Sequence, residues 1–147
     1  MNETTKRMLA ALPRTDAASV KQALLKGKAG GLPERKISER TCRMYDYDLA
    51  SYRQQQAQVA NYRDENGLTV AQHVRYGDKQ FAWIGREKGL KLQLFGQHLG
   101  SAGTLVLTEG EIDAMSVYEC MYKHRHQNKF VIASIPDGAA SAKRSCT

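Results

Sequence analysis

Long apolar runs are missing from this 147-residue chain. None approaches the ~20 residues that a membrane span needs, and Met1-Asn2-Glu3-Thr4 does not begin a secretory signal. Both absences point to a cytoplasmic protein with no membrane partner. Cysteine is also scarce. Cys42, Cys120 and Cys146 are odd in number and far apart, with no C-x-x-C pair and no Cys/His cluster of zinc-finger spacing. No zinc site is encoded, and Cys42 and Cys120, inside helical patterns, read as buried free thiols. Acidic residues are outnumbered, 15 against 22 Lys and Arg, which gives a net charge of +7. That excess favours polyanionic partners, because clustered cations release counterions from phosphates, although charge alone is a weak argument. Neither an internal repeat nor a low-complexity tract is present, and the length suits one ordinary domain or two small lobes sharing a core.

In chain order, the first pattern is helical, residues 17–25, with Asp16 as N-cap, Gly27 as stop and Val20, Ala23 and Leu24 as its apolar face. Lys26 to Pro33 is glycine-rich and basic and reads as a linker or mobile loop. Ser38 caps a short helix from Glu39 to about Tyr45, with Ile37, Thr41 and Met44 on one side. Residues 56–63 and 68–75 alternate in character around Asp64-Glu65-Asn66-Gly67, which predicts a β-hairpin. The alternation puts Val70, Gln72 and Val74 on one face and Ala71, His73 and Arg75 on the other. A third strand follows, with Lys79 near its start; Phe81 and Trp83 share a face, and core packing accounts for them better than base stacking. Arg86 to Lys91 reads as a solvated loop.

The stretch from Thr104 onward carries the chemistry. Leu105, Val106 and Leu107 form a short buried strand ending in Thr108-Glu109-Gly110-Glu111-Ile112-Asp113, and a helix follows with Ala114, Val117 and Met121 as its apolar stripe. A carboxylate at the carboxyl end of such a strand sits where open parallel sheets place their ligand crevice, and Glu109, a poor helix cap, is the first candidate for function. Glu111 and Asp113 fit metal binding and fit equally the ~0.3–1 kcal/mol that the macrodipole gives each at a helix start. Residues 130–134 read as a second strand ending at the same edge. The turn from Pro136 to Arg144, with Gly138, Ser141 and Lys143, suits phosphate as well as it suits an ordinary turn.

The order of these pieces resembles a family. Leu107-Thr108-Glu109-Gly110-Glu111-Ile112-Asp113-Ala114, then helix, strand and a Ser/Gly/Ala-rich turn with lysine, is similar to the TOPRIM domain of primases and topoisomerases. Upstream, Ile37-Ser38-Glu39-Arg40-Thr41-Cys42, Tyr62-Arg63-Asp64-Glu65-Asn66-Gly67, Gln72-His73-Val74-Arg75, Asp78-Lys79-Gln80-Phe81 and Leu94-Phe95-Gly96 resemble the RNA-polymerase domain of primase–helicases from short-tailed phages. The mitochondrial replicative helicase is a more distant relative.

The resemblance, which covers about Leu32 to the end, implies an α/β fold: an α+β lobe followed by an incomplete TOPRIM parallel-sheet lobe. The expected division is residues 1–31, an amino-terminal helix and linker; 32–100, the mixed lobe with the hairpin; and 101–147, the start of the TOPRIM domain. It implies a DNA primase within a primase–helicase, acting in a phage-infected or prophage-carrying bacterium. Glu109 would hold Mg²⁺, with Glu111 and Asp113 as further ligands, and Arg75 and Lys79 would act in catalysis on phosphates or template. His73, Gly138, Ser141 and Lys143 would bind phosphate. Expected partners are a single-stranded DNA template, ribonucleoside triphosphates, a helicase domain or subunit and a replicative DNA polymerase.

Two departures accompany the resemblance. His73 stands where the phage proteins commonly carry a lysine, and histidine carries little charge at pH 7. The chain also stops at Thr147, before the family's further metal-site aspartates, and shows neither zinc module nor helicase motor, so residues 1–147 alone are expected not to make primers. Another TOPRIM nuclease or topoisomerase, or a non-catalytic single-strand-binding module, are the alternatives.

Overall fold

The computed structural model describes residues 23–101 and 103–142. Its amino-terminal half is a four-stranded antiparallel meander, β1 (Tyr47–Tyr52), β2 (Gln55–Arg63), β3 (Thr69–Tyr76) and β4 (Gln80–Ile84), in spatial order 1-2-3-4. The expected hairpin is β2–β3. Asp64 makes its turn, its Oδ1 accepting from the backbone of Asn66 at 2.9 Å and Leu68 at 3.0 Å, and Gly67 takes φ +81°. Helix α1 (Glu39–Met44) starts as expected at Ser38, whose hydroxyl accepts from the Thr41 N–H.

The carboxyl-terminal half has two parallel strands, β5 (Thr104–Thr108) and β6 (Phe130–Ser134), joined by helix α2 (Glu111–Lys123). Pairing runs from Thr104 with Phe130 to Thr108 with Ser134, so both strands end at one edge, as the sequence predicts. The fold is therefore mixed α/β, an antiparallel sheet plus helices plus a small parallel sheet. Its core is continuous across residue 100: Tyr45, Tyr47, Tyr62 and Phe95 pack in one cluster with Ala114, Met115 and Ile132. Tyr45 donates its hydroxyl to the Ile132 carbonyl at 2.9 Å, tying the helical segment before β1 to β6. Among the described residues no helix is long and apolar enough to cross a membrane.

Several expectations need correction. Most of the predicted helix over 17–25 lies outside the described residues, but residues 23–25 are not helical. Gln72 supplies the reason: its carboxamide accepts from the Leu25 N–H at 2.7 Å and donates to the Leu25 carbonyl at 2.9 Å, satisfying the backbone as a neighbouring strand would. The glycine-rich segment is not a free linker. Lys28 exchanges two backbone hydrogen bonds with Leu49, and a Cβ on Gly27 would stand 2.7 Å from Asp48 Cβ, so glycine permits the close approach.

On α2 the buried face is Ala114, Met115, Tyr118 and Glu119, with Val117 and Met121 half-buried on its flank. Cys120 falls on the opposite side and is exposed, contrary to expectation. Cys42 is buried as predicted, and burial, with the Glu119 carboxylate nearby, pushes its thiol up to about 11. A thiol so placed is unreactive.

Candidate functional site

The alternation of β3 does what the sequence requires of it. Ala71, His73 and Arg75 share the front face of the meander, while Val74 and Tyr76 join the apolar cluster behind, with Leu24 and Leu25. The front face meets the first turn of α2 and encloses a cleft of about 180 Å³. His73, Arg75, Arg35 and Phe81 line it from one side, and Gly110, Glu111 and Asp113 from the other. Gly110 gives α2 no side-chain cap, and the start of the helix borders the cleft.

Glu111 is the acid that faces the basic side. Its Oε1 accepts from His73 Nδ1–H at 2.7 Å and from the Tyr62 hydroxyl at 2.7 Å. The side chains of His73 and Glu111 are only 19% and 16% exposed, enough shielding for the pair to matter more than a surface ion pair. Burial pushes the Glu111 carboxyl up, but the His73 and Tyr62 hydrogen bonds outweigh it and hold the group below the usual carboxylate value. The same contact pushes the Tyr62 hydroxyl up, after burial as the leading cause.

His73 thus commits its Nδ1–H to Glu111 and its ring to neighbours. It stacks on Trp83 with centroids 4.6 Å apart and on Phe81 at 5.2 Å. Trp83 packs against the core, but Phe81 is 54% exposed, which corrects the core-packing expectation for that residue. The reason is position along the strand: Phe81 stands at the exposed start of β4, next to the β3–β4 turn, whereas Ile84 at the other end is buried.

Glu109 sits exposed at the carboxyl end of β5, outside the cleft lining. Its neighbour is the turn after β6: a Cβ placed on Gly138, at φ +70°, would lie 3.7 Å from Glu109 Oε1. Glycine there leaves the flank of the carboxylate open. Asp113, also exposed, lies over the start of α2, its Oδ2 3.2 Å from where a Gly110 Cβ would stand. Among the described residues no group of three His, Cys, Asp or Glu is gathered to hold a metal ion.

The remaining predicted residues are dispersed. Lys79 is exposed in the β3–β4 turn at φ +56°, one residue beyond the last strand pair and outside the cleft lining. Ser141 is buried, and its hydroxyl donates to the carbonyls of Pro136 and Gly138, closing the turn rather than facing outward. Lys143 lies outside the described residues.

Three participants escaped sequence reasoning. Arg35, in a short 3-10 turn, lines the cleft beside Arg75. Arg86 belongs to no simple solvated loop: it lies 4.3 Å from the Trp83 ring centroid and grips Asp137 through two contacts of 2.5 Å, joining the end of β4 to the turn after β6. Glu119, buried on α2, accepts from the Ser38 N–H at 2.7 Å, the Ser38 hydroxyl at 2.5 Å and the Thr41 hydroxyl at 2.6 Å. Partners this far apart in sequence leave no local signal.

Known proteins resemble this chain in sequence and in fold. Residues 27–94 match the family model of the bacteriophage T7 DNA helicase/primase amino-terminal α+β fold. A DNA helicase/primase of Enterobacteria phage T3 is 41% identical over 121 residues, 82% of this chain and 20% of that protein. The crystal structure of the primase fragment of the bacteriophage T7 primase–helicase superposes with a TM-score of 0.67 at 37% identity, covering 83% of this chain and 48% of that one. A second structure, in which T7 lagging-strand DNA polymerase interacts with primase domains bound to an RNA/DNA hybrid and dTTP, gives a TM-score of 0.67 at 38% identity. The chain spans about a fifth of the T3 protein and about half of each T7 primase chain. It matches the amino-terminal part of the primase region of these phage primase–helicases.

Proposed function

We propose that the chain serves DNA priming, as the part of a primase–helicase that grips a single-stranded template beside the nucleotidyl-transfer site. The observation that carries this reading is the cleft itself, where Arg35 and Arg75 face the uncapped amino terminus of a 13-residue helix. Guanidinium groups and helix N–H donors converging on one recess suit a phosphate. His73 contributes orientation, its Nδ1–H being held by Glu111.

Glu109 fits one ligand of a Mg²⁺ ion, being an exposed carboxylate with an open flank; Mg²⁺ commonly takes one or two carboxylates and completes its shell with water and substrate phosphates. When bound, the ion would neutralise charge developing on the transferred phosphoryl group. Glu111 is a poor ligand by comparison, with two donors already on it. The division near residue 100 into a template-gripping lobe and the start of a TOPRIM lobe belongs to this proposal. So do ribonucleoside triphosphates, a helicase domain and a replicative polymerase as partners.

Binding of a fluorescent oligodeoxythymidylate, followed by anisotropy across a salt series, tests the reading. Arg35→Ala and Arg75→Ala should each weaken binding and lower the log–log salt slope by about 0.7, the share of one phosphate contact on a single strand. Unchanged slopes in both variants, or no single-strand binding by the parent chain, would refute it.

A further inference from the structure

We propose that Phe81 is a base-stacking residue: one nucleobase of the single strand lies on its open face while the adjoining phosphate enters the arginine-lined cleft. This rests on the template-gripping reading above and adds a residue that holds bases rather than phosphates.

A lone exposed aromatic is ordinary on a soluble protein. Phe81 differs because its surroundings fix both its orientation and its company. The His73 ring stacks against it at 5.2 Å with 17° between planes, and His73 is itself held by Glu111 at 2.7 Å. Arg75 lies across the strand pair from Phe81, its guanidinium 5.8 Å from the ring centroid. The ring is therefore a braced platform with a guanidinium over it, the combination that single-strand binders use for sequence-tolerant stacking.

Size argues for the base lying outside the cleft. At about 180 Å³ the recess is smaller than the roughly 300 Å³ at which pockets begin to enclose a whole small molecule. It accommodates a phosphate and leaves the attached base at the rim, where Phe81 stands. A second groove of about 420 Å³ adjoins it and shares Arg35 and Arg75 as lining, continuing past Gln56 and Gln58. A polyanion running from one recess to the other keeps both arginines in reach. Such a path suits a single strand, whose bases are free to leave their neighbours, better than a duplex.

The same anisotropy assay on the 147-residue chain tests this. Phe81→Ala should lower affinity for the oligodeoxythymidylate roughly 5- to 100-fold with the salt slope unchanged. Phe81→Tyr should restore it, and Phe81→Leu, which keeps apolar area without a π-face, should not. An oligomer of abasic sites should bind wild type and Phe81→Ala alike. Wild-type affinity in Phe81→Ala, or full rescue by leucine, would overturn the stacking role while leaving the phosphate contacts standing. Failure of the wild-type chain to bind single strands at all would overturn both readings.

Discussion

His73 and Glu111, 38 residues apart, meet through a 2.7 Å hydrogen bond that fastens the meander to the first turn of α2. Tyr62 reinforces it from β2. The contact gives the histidine a structural role. Its ring braces the Phe81–Trp83 side of the sheet, and its N–H holds the acid that opens the helix. Removing it leaves a shielded carboxylate short of one donor. His73→Ala should therefore destabilise the chain by about 1–3 kcal/mol in urea unfolding, and His73→Gln, which keeps an N–H to give, should recover part of that. Equal stability of wild type and His73→Ala would show that the contact holds nothing together.

Glu119 does for α1 what Glu111 does for the sheet. One carboxylate oxygen collects three donors from Ser38 and Thr41, the residues that start α1. Glu119→Ala leaves all three without that partner in a buried setting, and a loss of about 2–3 kcal/mol is expected. Thermal or urea unfolding of the variant measures it.

Both acids make stability depend on pH in the same direction. Burial raises the Glu119 carboxyl, yet the Ser38 and Thr41 hydrogen bonds bring it below its ordinary 4.5. Glu111 is likewise lowered by His73 and Tyr62 against the effect of burial. In each case the unfolded chain takes up a proton before the native state does. The stabilisation is then complete above about pH 4.5 and is lost as pH falls through the depressed native values. Urea midpoints measured from about pH 6 down to about pH 3 should decline, and Glu119→Gln should flatten the decline.

What the sequence disclosed was the chemistry that neighbours enforce. Asp64 and Gly67 announce the hairpin, Ser38 announces α1, and the alternation of β3 places His73 beside Arg75. What it withheld depends on distant partners or on strand order. Ser38 and Glu119 are 81 residues apart, and Arg86 and Asp137 are 51 apart. Phe81 reads as core in any alternating strand, yet it stands at the exposed start of β4, next to the turn, and is open to solvent. Glu111 and Glu109, two residues apart, look interchangeable in sequence, whereas the fold turns one toward the basic face and the other toward the end of β6.

That division of labour makes primer synthesis the most direct test of the account. A chimera carrying residues 27–142 in place of the corresponding segment of the T7 primase fragment should make template-directed oligoribonucleotides in the presence of Mg²⁺. Glu109→Gln in that chimera should cut synthesis on the order of 10²-fold or more, while single-strand binding stays at the unsubstituted level. A chimera that binds template and makes no primer, or one in which Glu109→Gln synthesises at the unsubstituted rate, would contradict the account.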